Sequence, residues 1–299
     1  VLYPLSASEI KKIDYLLFSH YHIDHIAGFD NFLRIKYGQF DKNVSIWGPR
    51  DTHRVISNRL QGVTWNLIKN KASVWEVNEI NEQNQKTALY KNTANSSLKY
   101  NEESKQFCNP IIDTAFFTVE TIILDHMIPC LGYLVKEKTR WNIDVEALRE
   151  LNLPQGIWLS ELKKQNDTSQ DFVVMGDKKY SIKWLREKLL VAKPGDTIAY
   201  LSDFLLDSNT EKRLLEFLPE KTILVCESKY CEAESSLARK NYHLTNVQVS
   251  KLAALAKAKK LILFHFSPRY NKNYIKTMLK ESRANFQETY IPPQWSWLL

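Results

Sequence analysis

Residues 20–25 read HYHIDH, so His20, His22, Asp24 and His25 fall within six positions. The run before them, IDYLLFS (13–19), is short and apolar and reads as a buried strand; Gly28 follows. Imidazoles at the end of a buried strand are a poor choice unless they bind something. Imidazole nitrogens and carboxylates suit zinc and neighbouring divalent metals. His20 and His22, as alternate residues, can face one ion, and Asp24 and His25, past the turn, can face a second. The competing reading is a histidine-rich surface loop, which the HxHxDH spacing after an apolar strand disfavours.

The same arrangement recurs along the chain. FFTVETIILD (116–125) ends at His126, TIAYLS (197–202) at Asp203, KTILVC (221–226) at Glu227 and KKLILF (259–264) at His265. Helical patterns lie between strands, over FDNFLRIKY up to a stop at Gly38, from an Asp51-Thr52 cap to Leu60, over 209–217, and after a Thr245 cap. Strands alternating with helices predict an α/β architecture. In such sheets ligands bind beyond the carboxyl ends of strands, so five metal-capable residues there point to one rim. Of the seven histidines, five lie in these motifs and His243 lies just before the Thr245 cap, whereas His53 reads as structural.

Composition narrows the class. At 299 residues, 44% hydrophobic and 25% charged, the chain is an ordinary globular one of one or two domains. It has no apolar run of the roughly 20 residues a membrane helix needs, and no visible signal peptide. A net charge of +7 permits a polyanionic partner without requiring one. The four cysteines form no CxxC, which favours a reducing cytoplasm. Residues 69–110 are polar and predict strands with long loops. Residues 138–195 change character and read as an inserted arm, with Lys163, Lys164, Lys178, Lys179, Lys183, Arg186 and Lys188 as its basic handle.

Together these motifs resemble a known family. HxHxDH is the signature of the metallo-β-lactamase fold. LILFHFSPRY (261–270), the His243-Leu244-Thr245 segment, IWGPRDT (46–52), DHMIPCLGYLVKE (125–137) and LNLPQGIWLSELK (151–163) resemble motifs of ribonuclease Z, the tRNA 3′-processing endonuclease. The resemblance implies a metallo-β-lactamase-like αββα sandwich, one domain over 1–299, with an inserted substrate-binding arm at 138–195. Only about a dozen residues precede the first motif strand, so it also implies a chain truncated at its N-terminus. The implied ligands are His20, His22 and His126 for one zinc, Asp24, His25 and His265 for the other, and Asp203 bridging both. Ser267 and Arg269 would approach the substrate phosphate. Where the family reads His-Glu-Ala-Thr, this chain reads Cys226-Glu227-Ser228-Lys229, and the arm's Gly-Pro is Gly156-Ile157.

The implied activity is removal of the 3′ trailer from precursor tRNA by a hydroxide held between two divalent metals. His243 is the candidate proton donor to the leaving oxygen, oriented and kept protonated by Glu227, and Asp24 can accept a proton from water. The implied protein is a cytoplasmic homodimer with RNA as partner and no membrane association. Two other readings compete: a metallohydrolase of small phosphodiesters or sulfate esters, and a non-catalytic RNA-binding relative. An intact ligand set argues against the latter.

Overall fold

A computed structural model describes residues 5–37, 43–66, 73–92, 97–163 and 171–298. Gly38 and Lys164 lie outside the described residues. The chain divides into two compact units. One comprises residues 1–113, 119–135 and 197–299; the other comprises 114–118 and 136–196.

The first unit contains two sheets. Strands β1 (Tyr15–Leu17), β2 (Val44–Gly48), β3 (Ser73–Ile80), β4 (Asn84–Asn92) and β5 (Ser97–Gln106) pair in chain order. The pairing is parallel from β1 to β3 and antiparallel from β3 to β5. Helices α1 (Phe29–Lys36) and α2 (Thr52–Gln61) cover this sheet, burying Phe32, Ile56 and Leu60 against Ile46, Trp75 and Val77. Two expectations need correction. Most of residues 69–110 is a meander rather than strands with long loops: β3 and β4 are joined by a turn in which the Asn81 Oδ1 accepts the Gln83 and Asn84 amides. Charged residues face outward on β3 and β4, and β5 is a polar edge strand exposed at nearly every described position, so polarity alone did not mean loop. Asp51 does not cap α2 through its side chain. Its φ is 76°, and its carboxylate instead accepts from Arg54 Nε at 3.2 Å.

The second sheet is built from β6 (Ile112–Asp113), β7 (Phe117–Asp125), β8 (Pro129–Glu137), β9 (Thr197–Leu201), β10 (Ile223–Glu227), β11 (Lys260–Phe264) and β12 (Thr289–Tyr290), in the order β12-β11-β10-β9-β8-β7-β6. From β9 to β12 the pairing is parallel. Helices α3 (Ser208–Phe217) and α4 (Asn246–Leu255) help cover it, with Leu214, Val249, Leu252 and Ala253 packed on Leu201, Leu224, Cys226 and Leu263. Thr245 caps α4 as expected, in a reciprocal box with Gln248. The sheets are tied by the Leu131 amide to Ser19 O at 2.8 Å and the Tyr133 hydroxyl to Phe18 O at 2.7 Å. Gly132, between Leu131 and Tyr133, faces the core of the second sheet, where a Cβ would come within 2.7 Å of Leu201 Cδ2. The two sheets with helices outside form the αββα sandwich of the metallo-β-lactamase fold. Among the described residues, no helix is long and apolar enough to cross a membrane.

The second unit has its own small core of Leu148, Leu153, Leu162, Leu185 and Leu189. Around it are two antiparallel pairs, Arg140–Ile143 with Leu190–Lys193 and Phe172–Met175 with Lys178–Ser181. Lys163, Lys178, Lys179, Lys183 and Lys188 are exposed. Arg186 is half-buried, its Nε donating to Leu162 O at 3.2 Å, so it also serves the unit's own packing.

Candidate metal centre

The metal-capable side chains come from the strand ends and the loops that follow them. The strand β1 stops at Leu17, and the next turn carries His20 and His22 into the helix Ile23–Ile26 that presents Asp24 and His25. Tyr21, between the two histidines, is anchored away from the site. Its hydroxyl donates to Thr52 Oγ1 at 2.7 Å, beside Gly48, where a Cβ would stand 2.3 Å from that hydroxyl. The Gly-Pro turn after β2 thus leaves room for the residue that orients the His20–His22 loop. His126 follows β7, Asp203 follows β9, Glu227 closes β10 and His265 follows β11.

These residues converge. Ligand atoms of His20, His22 and His126 lie within 4.8 Å of one another, as do those of Asp24, His25 and His265. Asp203 stands between the two groups. Its Oδ2 is 3.3 Å from His25 Nε2, 3.7 Å from His126 Nε2 and 3.8 Å from His20 Nε2, and its Oδ1 is 3.1 Å from His265 Nδ1. His20 and Asp203 are almost wholly buried, whereas the Asp24 side chain is 58% exposed at the outer edge.

The donor set fits divalent cations. His25 Nε2 and His265 Nδ1 are buried with no hydrogen-bond partner, an arrangement native interiors avoid unless a further group satisfies the atoms. Burial, reinforced by His25, pulls the His20 pKa down to about 3 despite the opposing Asp203 charge. Burial also lowers His126. Both are therefore neutral at pH 7, the form that can donate a lone pair. Burial would raise Asp203, but His25, His265 and His243 outweigh it and hold the carboxyl well below its ordinary range. The second ring nitrogens are also engaged: His126 Nδ1 donates to Tyr242 O at 2.7 Å, and His20 Nδ1 lies 3.2 Å from Ser19 Oγ. Such outer contacts fix the ring orientation of ligands.

Three non-glycine residues at this rim have left-handed backbones: Met127 (φ 58°), Tyr242 (φ 55°) and His265 (φ 60°). Each follows, precedes or is a site histidine. Strain of this kind, of order 1–3 kcal/mol per residue, persists where the surrounding fold dictates it and collects at functional sites.

Beside the cluster lies a buried pair. His243 Nδ1 is 2.9 and 3.1 Å from the Glu227 carboxylate oxygens and 3.9 Å from Asp203 Oδ2. The Phe204 amide also donates to Glu227 Oε1, at 3.1 Å. Burial raises the Glu227 pKa to about 8 and lowers that of His243 to about 4. Ser267 is buried on the loop after β11, where its Oγ accepts from Arg269 Nε at 3.2 Å. The Arg269 guanidinium is held by Glu234, at 3.1 and 3.3 Å. Neither the Glu234 clasp nor the Tyr242 carbonyl was anticipated. The first is a contact between loops 35 residues apart, and the second is backbone, so no residue type announced either.

Comparison with known proteins decides the family. The chain is 34% identical over 291 residues to ribonuclease Z of Deinococcus radiodurans, covering 97% of this chain and 87% of that protein. The chain belongs to the ribonuclease Z family. Ribonuclease Z of Streptococcus sanguinis is 26% identical over 289 residues, with 94% of this chain and 80% of that protein covered. Residues 2–95 match the Beta-lactamase superfamily domain. The fold is shared with the metallo-beta-lactamase fold protein YhfI from Bacillus subtilis, at a TM-score of 0.51, 14% identity and coverage of 95% of this chain and 76% of that chain. It is shared too with the short form of human tRNase Z, at a TM-score of 0.50, 16% identity and coverage of 97% and 78%. With the ligand cluster, this makes the protein a metal-dependent hydrolase of the phosphodiesterase and nuclease kind, with a binuclear site.

Proposed function

We propose that this ribonuclease Z family member is an endoribonuclease that removes the 3′ trailer from precursor tRNA, with zinc as its metal. The observation that carries the reading is the buried His243–Glu227 pair beside Asp203. An alkoxide leaving from RNA needs a proton as the bond to phosphorus breaks, and a positioned imidazole can deliver it.

In this reading His20, His22 and His126 would hold one ion, Asp24, His25 and His265 would hold the other, and Asp203 would serve both. Two cations bound there would acidify water and offset charge on the phosphoryl oxygens. Asp24, at the exposed edge, accepts the proton that the attacking water loses. Glu227 takes His243 Nδ1, which leaves Nε2 for the leaving oxygen. A carboxyl raised to about 8 and an imidazole lowered to about 4 describe a pair that is neutral as a unit at pH 7 and holds one mobile proton between them. Ser267 and Arg269 line the phosphate approach. Residues 138–195 act as the arm of a single 1–299 domain, gripping folded tRNA by shape and phosphate charge rather than base identity. The protein works in the cytoplasm as a homodimer.

The test is cleavage of a 3′-extended precursor tRNA, with His22→Ala beside it and bis(p-nitrophenyl) phosphate as a small control diester. Cleavage near the discriminator base that is lost in the variant supports the reading. Hydrolysis of the small diester alone overturns the tRNA assignment and leaves a small-ester phosphodiesterase.

A further inference from the structure

We propose that Lys229 is a substrate phosphate contact of this chain, placed between the proton-donor loop and the Ser267 loop. The inference rests on the nuclease reading above and adds to it a residue that stands where the family motif has threonine.

The backbone around Lys229 is fixed from several sides. The Ser228 amide donates to Phe264 O at 2.8 Å, the Ser267 amide donates to Lys229 O at 3.1 Å, and the Tyr230 amide donates to Leu244 O at 3.1 Å. Tyr230 also bridges to Thr245. These bonds clamp the segment between the loop of His243 and the loop after His265. Two residues upstream is Glu227, the partner of His243. Lys229 is half-buried, and among the described residues its ammonium has no hydrogen-bonded or ionic partner. Its charge nevertheless reaches the site: after burial and the opposing Asp203, it is the next largest influence on His243, lowering that imidazole's basicity.

The contrast with Arg269 sharpens the point. Arg269 lies on the motif expected to meet phosphate, yet its guanidinium is already bound to the Glu234 carboxylate and Ser267 Oγ. Lys229, whose charge acts on His243, has no carboxylate partner among the described residues. A half-buried ammonium without an anion is unfavourable in the free protein. An arriving phosphodiester satisfies it, and its three donors suit a non-bridging phosphate oxygen as a point charge.

The test compares Lys229→Met, which keeps the stem, and Lys229→Arg, which keeps the charge, with Lys257→Met as a matched loss of charge. Lys257 O bonds the Lys221 amide ahead of β10, at the end of the strands opposite the site. Metal content and circular dichroism establish that each variant is loaded and folded. KM and kcat for the precursor tRNA are measured over a salt series, and RNA affinity is read separately by fluorescence anisotropy in EDTA. Lys229→Met raises KM and the dissociation constant about tenfold, with the salt slope reduced by about 1, as loss of one phosphate contact requires. Lys229→Arg recovers most of the affinity, and Lys257→Met changes neither quantity. Unchanged affinity and salt slope in a folded Lys229→Met overturn the proposal, as does an equal loss in Lys257→Met. Should Lys229→Met fail to fold, Lys229→Gln is read by the same criteria. Should the wild type hydrolyse only bis(p-nitrophenyl) phosphate, the nuclease reading fails on its own. Lys229 is then judged on the KM for that diester, where a rise of about tenfold supports phosphate contact and no change refutes it.

Discussion

Glu227→Gln separates a proton relay from a metal ligand. Ligand atoms of Asp203, Glu227, His243 and His265 also lie within 4.8 Å of one another, so Glu227 is close enough to act in either role. The carboxylate is fully buried and spans two donors, His243 Nδ1 at 2.9 Å and the Phe204 amide at 3.1 Å. Glutamine has the same shape. Its oxygen still accepts from Phe204, while its NH2 meets Nδ1 and removes the mobile proton of the pair. Loss of positioned acid catalysis is worth about 10²–10⁴ in kcat, or about 3–5 kcal/mol of barrier. The expected result is a kcat for tRNA cleavage lowered by that factor, with KM and metal content unchanged. Bis(p-nitrophenyl) phosphate, whose leaving group needs little protonation, falls by no more than about tenfold. An equal fall on both substrates, or loss of a metal equivalent by elemental analysis, refutes the relay. A tRNA kcat within a few-fold of wild type refutes it as well.

The same variant reports through stability. The folded-state pKa of Glu227 is raised from 4.5 to about 8, so the metal-free wild type loses stability through this group as pH climbs across that window. Metal-free Glu227→Gln therefore gains on the wild type in denaturant titrations from pH 5 to 8, and the two converge below pH 4.5. Asp203→Asn has the opposite sign. The depressed Asp203 pKa contributes stability above its ordinary 3.8 that is lost on acidification, so the metal-free variant is less stable near neutrality and the difference closes as pH falls. Gly48→Ala forces a Cβ against the Tyr21 and Thr52 hydroxyl oxygens, at 2.3 and 2.5 Å. It is expected to shift the His20–His22 loop, weakening zinc binding in a chelator competition at a stability loss of about 1–3 kcal/mol. Zinc at 100 times its dissociation constant adds about 2.7 kcal/mol per site to the wild type, and His22→Ala is expected to remove the share of the His20–His22–His126 site from the gain in thermal midpoint.

Much of the centre was legible because its residues obey one local rule, an apolar strand followed by a polar residue. His20, His126, Asp203, Glu227 and His265 all lie at or just past strand ends, where the parallel pairing of β9 to β12 sets three of them side by side. The His243–Glu227 partnership was not readable from periodicity, since 16 residues separate them; the family motif supplied it. The misreadings share a cause. Asp51 has the side chain of a helix cap but a left-handed backbone, and the described strands within 69–110 pair as sheet although polar, because an antiparallel meander needs at most one dry face and its edge strand β5 needs none. Pro129 opens β8 ahead of the apolar GYLVKE run, at a strand's first position, where a missing donor is tolerated.

What remained hidden was the outer layer of the site, and the physical reason is that it is made of backbone and of contacts between distant loops. Tyr242 offers its carbonyl to His126, and it does so from a left-handed conformation that nothing in its side chain requires. Lys229 was visible only as a departure from a motif. Its significance comes from three neighbouring loops that hold it beside His243 and from the glutamate that occupies Arg269. A metal cluster is recognisable from its donors because the ion selects their chemistry. The groups that meet the substrate are selected by shape and charge at the assembled surface, which exists only once strands far apart in the chain have closed their ends around one carboxylate, Asp203.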